Sequence, residues 1–221
     1  MSVDVPPTVF IVDDDPDMRH SIEFLMQSVG IATISYASAA EFLADFHPSK
    51  SGCLICDVRM PEMSGLDLFE KLDRMGSRIP VILMTAYADV PMAIRALKLG
   101  VADFVEKPFS AQLLLEGVQR AITEDHVRRE SLKSWQEFTR RMESLTDKER
   151  ATLEQIISGS PNKSIAALLG ITERAVEVRR ASIMKKLDVN STPELVRRVT
   201  RFQLLCPSPN SIYSDDQGSE T

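Results

Sequence analysis

The sequence is poor in the features that define several broad classes of protein. Only 3 of its 221 residues are Cys, an odd number that argues against a disulfide framework. With 9 Gly and 12 Pro, it has no collagen-like or proline-rich low-complexity region. Its apolar runs are far shorter than the ~20 residues of a membrane-spanning helix, and no signal-peptide pattern opens it. We therefore expect a cytoplasmic protein that makes no contact with a membrane.

Two of the cysteines, Cys53 and Cys56, have the C-x-x-C spacing of redox and metal sites. They lie in a strand-like run, however, where residues three apart point to opposite faces. The sequence therefore favours two buried thiols over a redox or metal pair.

Net charge varies along the chain. It is −9 over residues 1–125, +3 over 126–142, +3 over 143–206 and −3 over 207–221. An acidic domain that binds a metal or regulator, joined to a domain that binds a polyanion, would give this distribution. A chance asymmetry of solvated faces would also give it, so charge alone leaves nucleic-acid binding open.

Residues 1–125 alternate short apolar runs with amphipathic stretches. Strands are predicted at 8–12, 31–36, 53–56, 81–84 and 102–105. Helices are predicted between them and after the last, with Asp15 as the first N-cap and a capping box formed by Ser38 and Glu41. Continuous apolar strands separated by helices are typical of a parallel sheet covered on both faces. The fold class predicted is therefore α/β, a doubly wound (βα)5 domain.

Polar residues follow four of these strands: Asp13 and Asp14, Asp57, Thr85 and Lys107. Because the carboxyl ends of parallel strands share one edge of the sheet, these side chains should converge. Three carboxylates there suit Mg²⁺, and a carboxylate on that metal can act as a nucleophile toward a phosphoryl group. Each residue alone could be a solvated loop residue, but the five together favour one site.

Four motifs carry a family resemblance. The runs Phe10–Asp15, Asp57–Gly65, Met84–Ala86 and Glu106–Phe109 resemble those of the response-regulator receiver domain, over about residues 5–125. The run 89–100 further resembles the FixJ group of these regulators.

The resemblance implies a role for each strand-end residue. Asp57 is expected to be the phosphorylated residue. Asp14 would bind Mg²⁺ directly and Asp13 through water, and Asp57 with the Arg59 carbonyl would complete the metal site. Thr85 and Phe104 match the family's switch pair, Lys107 matches the lysine that pairs with the phosphoryl group, and the Lys107–Pro108 peptide is expected to be cis.

A candidate contact surface lies on the predicted helix 91–99. It carries apolar Ile94 and Leu97 beside charged residues that include Lys98. Such a mixture suits a weak two-fold contact between copies of the chain, with Ile94 and Lys98 in the dimer face. The alternative is that Ile94 and Leu97 pack on the sheet, as helical spacing favours for at least one of them.

Residues after 125 have an all-helical pattern. The segment 126–142 lacks Gly and Pro and is predicted to be a helical linker. Thr146 and Glu149 form a capping box, and a short helix that ends at Gly170 precedes a longer one capped by Thr172. This is helix-turn-helix geometry, here over residues 143–206, whereas 207–221 is polar, aperiodic and expected to be disordered.

The longer helix separates by face. Val176, Ile183 and Leu187 fall on its core side, and its opposite side would face the DNA major groove. The residues predicted to contact DNA are Lys163, Arg174, Glu177, Val178, Arg180, Ala181 and Lys185.

A second resemblance covers this region. The runs 145–150, 162–166, 170–174 and 183–187 resemble the LuxR/NarL-type helix-turn-helix. The family's usual Thr-Val-x-x-His is here Ala175 to Arg179, so Arg179 stands where a His is usual. It could reach outward to a DNA phosphate or mark an altered groove contact.

Together the two resemblances imply a two-component transcription regulator. A sensor histidine kinase would phosphorylate Asp57, and the chain would then form a homodimer, bind double-stranded DNA and act on RNA polymerase. One alternative is a Mg²⁺-dependent phosphohydrolase, but such enzymes usually carry a second carboxylate two residues after the nucleophile, where this chain has Arg59. A protein-interaction adaptor would leave the basic helix-turn-helix unexplained. We therefore predict a regulator rather than an enzyme.

Overall fold

A computed structural model describes residues 6–86 and 90–205, apart from the side chains at 90–93, 97 and 205. The predicted tail at 207–221 and the side chain of Leu97 lie outside these described residues. The chain divides into two compact units, Met1–Leu132 and Lys133–Thr221. Within the described residues, no helix is both long and apolar enough to cross a lipid bilayer.

The first unit contains a parallel sheet of five strands in the order β2-β1-β3-β4-β5. The strands are β1 Thr8–Val12, β2 Ala32–Tyr36, β3 Gly52–Asp57, β4 Val81–Thr85 and β5 Asp103–Glu106. The helices that connect them are α1 Pro16–Ser28, α2 Ala39–Asp45, α3 Gly65–Arg74 and α4 Val90–Leu99. This confirms the predicted doubly wound (βα)5 fold.

The sheet is covered on both faces. β3 and β4 are buried along their whole length, and one apolar cluster lies on each side of the sheet. Cys53 and Cys56 belong to different clusters, so the two thiols are on opposite faces. Burial raises the pKa of the Cys53 thiol to about 12 and that of Cys56 well above its usual value. Both are therefore unreactive core thiols.

Side chains cap the first two helices. Asp15 caps α1, accepting a 2.9 Å hydrogen bond from the Asp17 N–H, as predicted. Ser38 caps α2 by accepting from the Glu41 N–H at 3.1 Å. The predicted capping box is only half formed, because the Glu41 carboxylate accepts from the Ala37 N–H, one residue before the cap.

The fifth helix, α5, runs without a break from Ala111 to Glu143, so residues 126–142 are helical throughout. Within the first unit, Asp125 is buried on α5 and accepts from the Gly52 N–H at 2.9 Å and from Arg129 Nε at 2.7 Å. Arg129 in turn donates to the carbonyls of Ser49 and Lys50. This group of hydrogen bonds, the Asp125 clamp, fixes α5 to the loop that precedes β3.

The second unit is helical. It contains the last turns of α5 followed by α6 Asp147–Ile157, α7 Asn162–Leu169, α8 Glu173–Leu187 and α9 Thr192–Leu205. The α5 turns pack through Trp135, whose ring stacks on Phe202 of α9 at a centroid distance of 4.8 Å. Thr146 and Glu149 form the predicted capping box of α6, and Gly170 ends α7 in the left-handed conformation.

Candidate functional site

The carboxyl ends of three strands bring three side chains together. Asp13 follows β1, Asp57 is the last residue of β3, and Lys107 follows β5. Lys107 Nζ lies 2.8 Å from Asp13 Oδ2 and 2.6 Å from Asp57 Oδ1. Both carboxylates are at least nine-tenths buried. The parallel sheet therefore gathers an acid pair and an ammonium group from residues up to 94 positions apart.

Burial and charge act in opposite directions in this cluster. Burial lowers the pKa of Lys107, but its hydrogen bonds to Asp13 and Asp57 outweigh this and leave the pKa raised. Burial also raises the pKa of the Asp13 carboxyl, although Lys107 and the Asp15 N–H oppose it. The lysine therefore remains charged, and a cation is favoured at the point where the two carboxylates meet.

The turn after β3 fixes the orientation of Asp57. Its second oxygen, Oδ2, accepts from the Arg59 N–H at 2.7 Å. The chain then returns so closely that a Cβ at Gly65 would lie 2.3 Å from the Asp57 carbonyl oxygen. Only glycine fits there, which explains why Gly65 opens α3 despite its low helix propensity.

The third predicted acid stands apart from this pair. Asp14 is exposed and lines a groove together with Val58 and Arg59, the two residues that follow Asp57 in the sequence. Among the described residues, no three His, Cys, Asp or Glu side chains form a cluster that could hold a metal ion. The buried carboxylates of Asp13 and Asp57 nevertheless offer oxygen donors, the ligand type suited to a hard divalent cation.

Thr85 lies on β4 and Phe104 lies on β5, the two strands that come after β3 in the order of the sheet. Thr85 ends β4, is 1% exposed, and accepts a 2.7 Å hydrogen bond from the Lys107 N–H through its carbonyl. Phe104, on β5 beside Leu83 of β4, is half-buried against the apolar cluster on one side of the sheet. The Lys107–Pro108 peptide is cis, as the receiver resemblance implies.

The outer face of α4 combines apolar and charged side chains. Ile94 is 47% exposed and Lys98 is exposed, whereas Ala96 is buried. Nearly half of the Ile94 surface is therefore open to solvent. Arg95 donates to Glu70 Oε1 of α3 at 2.9 Å.

In the second unit, α8 has the predicted separation of faces. Val176, Ile183 and Leu187 are completely buried. The opposite side, called here the outer face of α8, is exposed at Arg174, Glu177, Val178, Ala181 and Lys185. Lys163, on α7, is exposed as well.

Two arginines of α8 turn toward the protein instead. Arg180, predicted to contact DNA, donates to Asn162 Oδ1 at 3.1 Å and to Thr192 Oγ1 at 2.9 Å. Helical spacing explains the difference, because a residue four positions after buried Val176 lies at the edge of the core side. Arg179 points its guanidinium at Thr152 Oγ1 of α6, at 3.5 Å.

Sequence reasoning missed the second role of Glu149. This buried carboxylate caps α6 and also accepts from Ser182 Oγ at 2.7 Å and Lys186 Nζ at 2.6 Å, both on α8. These bonds, with Lys186 contributing most, lower the pKa of Glu149 to about 2. The capping box was visible in the sequence, but no local signal indicated partners more than thirty residues away.

Comparison with known proteins identifies both units. Residues 9–119 match the response regulator receiver domain, and residues 143–199 match the luxR family of bacterial regulatory proteins. The chain belongs to the two-component response regulators that carry a LuxR-type DNA-binding domain, a family of transcription regulators and not of enzymes. Receiver domains generally bind Mg²⁺ at their acidic site and imply a histidine kinase partner; the LuxR-type domain implies DNA binding.

Individual relatives resemble the chain over most of its length. It is 43% identical to the transcriptional regulatory protein FixJ of Azorhizobium caulinodans, over 86% of this chain and 90% of that protein. It is 39% identical to nodulation protein W of Bradyrhizobium diazoefficiens, over 86% and 83%. The solved structure of the response regulator StyR matches with a TM-score of 0.82 and 38% identity, over 89% of this chain and all of that one.

Proposed function

We propose that Asp57 accepts a phosphoryl group from a sensor histidine kinase and that this modification drives dimerisation and sequence-specific DNA binding. The observation that carries the proposal is the cluster of Asp13, Asp57 and Lys107. It presents a nearly buried carboxylate beside a fixed ammonium group at the open edge of the sheet.

The chemistry follows from these contacts. An Asp57 carboxylate oxygen attacks phosphorus, and the phosphorus–nitrogen bond of the kinase's phosphohistidine breaks as the imidazole takes the electron pair. Lys107 then pairs with the phosphoryl oxygens in addition to Asp13. Asp13, Asp14, Asp57 and the Arg59 carbonyl would hold Mg²⁺, which neutralises negative charge at the site.

Thr85 and Phe104 would transmit the modification. The buried Thr85 hydroxyl is drawn toward the phosphoryl oxygens, and the Phe104 ring moves into the space that this vacates. Such a change favours one of two packings of α4 and β5. The exposed pair Ile94 and Lys98 is the surface through which two copies would then meet.

Dimerisation would place two α8 helices in half-sites about one turn of DNA apart. Lys163, Arg174 and Lys185 are assigned to phosphates, whereas Glu177, Val178 and Ala181 would face the base edges. Arg180 becomes a positioning residue, since its hydrogen bonds join α8 to α7 and α9. A dimer bound at a promoter would act on RNA polymerase.

Labelling with acetyl phosphate tests the proposal. Asp57→Asn should abolish incorporation of phosphate, because the variant lacks the nucleophilic carboxylate oxygen. Removal of Mg²⁺ should do the same, because the metal neutralises negative charge at the site. Asp73→Asn, which alters an exposed aspartate near the end of α3, is the matched control and should label normally. Undiminished labelling of the Asp57 variant would contradict the assignment, and rapid turnover of the donor would instead favour a phosphohydrolase.

A further inference from the structure

The middle of the outer face of α8 carries no basic side chain. Glu177, Val178 and Ala181 are all exposed there, and Val178 is 64% exposed despite its apolar character. The basic residues of this face, Arg174 and Lys185, lie three positions before and four after this central group.

The two arginines in this central part of α8, Arg179 and Arg180, point away from its outer face. Arg180 is held by Asn162 and Thr192, and the Arg179 guanidinium is directed at Thr152. The usual bidentate recognition of guanine needs an Arg or Lys that reaches its O6 and N7 atoms. The centre of α8 offers neither.

The exposed side chains of Glu177 and Val178 suit bases other than guanine. A carboxylate next to DNA is repelled by phosphates unless a base donates a hydrogen bond to it, and the N4 amino group of cytosine is such a donor in the major groove. Adenine also presents an amino group, but its neighbouring N7 acceptor repels a carboxylate. An exposed apolar side chain such as Val178 complements the methyl group of thymine.

We propose that, in the DNA complex of the proposed function, Glu177 accepts a hydrogen bond from the N4 amino group of a cytosine and Val178 contacts the methyl group of a nearby thymine. Ala181, small and one turn further along α8, permits close approach to the bases. The preferred half-site is therefore centred on a cytosine and a thymine and not on a guanine that an arginine reads.

The test starts from DNA selected by the full-length protein, phosphorylated with acetyl phosphate, from a pool of randomised duplexes. Selected half-sites should share a cytosine at which Glu177→Gln shifts the preference toward adenine by roughly tenfold, because Gln pairs with adenine N6 and N7. Glu154→Gln, on exposed α6 surface, should leave the preference unchanged.

A single-methyl exchange tests Val178 independently. Replacing the contacted thymine by deoxyuracil removes only the methyl group and should weaken wild-type binding severalfold, whereas Val178→Ala should show little further loss on the same exchange. If sites are selected but neither variant changes its base response, the base assignment is wrong and the DNA-binding proposal stands. If the pool yields no preferred sequence, sequence-specific binding itself is refuted, and this assignment with it.

Discussion

Replacing Glu149 by Gln should destabilise the second unit in a pH-dependent manner. Its carboxylate accepts from Lys186, Ser182 and Thr146, and these bonds hold its pKa at about 2 instead of the usual 4.5. That shift in pKa corresponds to a contribution of about 3 kcal/mol to the free energy of unfolding at neutral pH. Because Lys186 is one-third exposed and solvent screens the pair, we expect roughly half, ~1.5 kcal/mol, for Glu149→Gln.

The sign of the pH dependence follows from the lowered pKa. The stabilisation is fully present above pH 4.5 and is lost as the pH falls toward 2, because the folded carboxyl becomes protonated there. The difference in the free energy of unfolding between wild type and Glu149→Gln should therefore be largest at pH 7. At pH 3.5 it should have fallen by roughly two fifths.

Urea unfolding monitored by tryptophan fluorescence measures this directly. Trp135 is the single tryptophan of the chain and stacks on Phe202, so its emission reports on the second unit. At pH 7 the variant's midpoint should fall by about 1 M urea. Glu154→Gln, an exposed change on the same helix, is the control and should leave the midpoint unchanged. Equal midpoints for Glu149→Gln and wild type at pH 7, or a difference that grows on acidification, would refute the reasoning.

Two further predictions concern DNA binding and assembly. Arg174→Ala should weaken binding to all DNA sequences alike and should reduce, by about one unit, the slope of the logarithm of the binding constant against that of the salt concentration. Arg180→Ala should weaken DNA binding without changing this slope. A reduced slope for Arg180→Ala would show that its guanidinium contacts phosphate after all. Ile94→Asp should keep the protein monomeric in sedimentation experiments when beryllofluoride makes the wild type dimeric, and Phe24→Asp, on exposed α1 surface, should not. Dimerisation of the Ile94 variant would remove α4 from the interface.

The sequence predicted the fold and the convergence of Asp13, Asp57 and Lys107 for a shared physical reason. In a parallel sheet the strand-end positions meet at one edge, so placing Asp13, Asp57 and Lys107 after apolar strands was enough to bring them together. The environment of Arg180 could not be found this way, since its partners depend on how α7 and α9 pack. Glu149 shows both cases, because its cap to Thr146 is local and its bond to Lys186 is not.

The Asp125 clamp has a practical consequence for dividing the chain. A receiver fragment ending at residue 125 would retain the buried Asp125 carboxylate but lose Arg128 and Arg129, the two arginines that neutralise it. A fragment that ends at residue 119, the limit of the receiver-domain match, would lack the Asp125 carboxylate. A fragment that begins at residue 143, the start of the luxR-family match, would lack Trp135. Fragments that meet between Leu132 and Lys133 keep both sets of contacts, although the cut falls inside an unbroken helix.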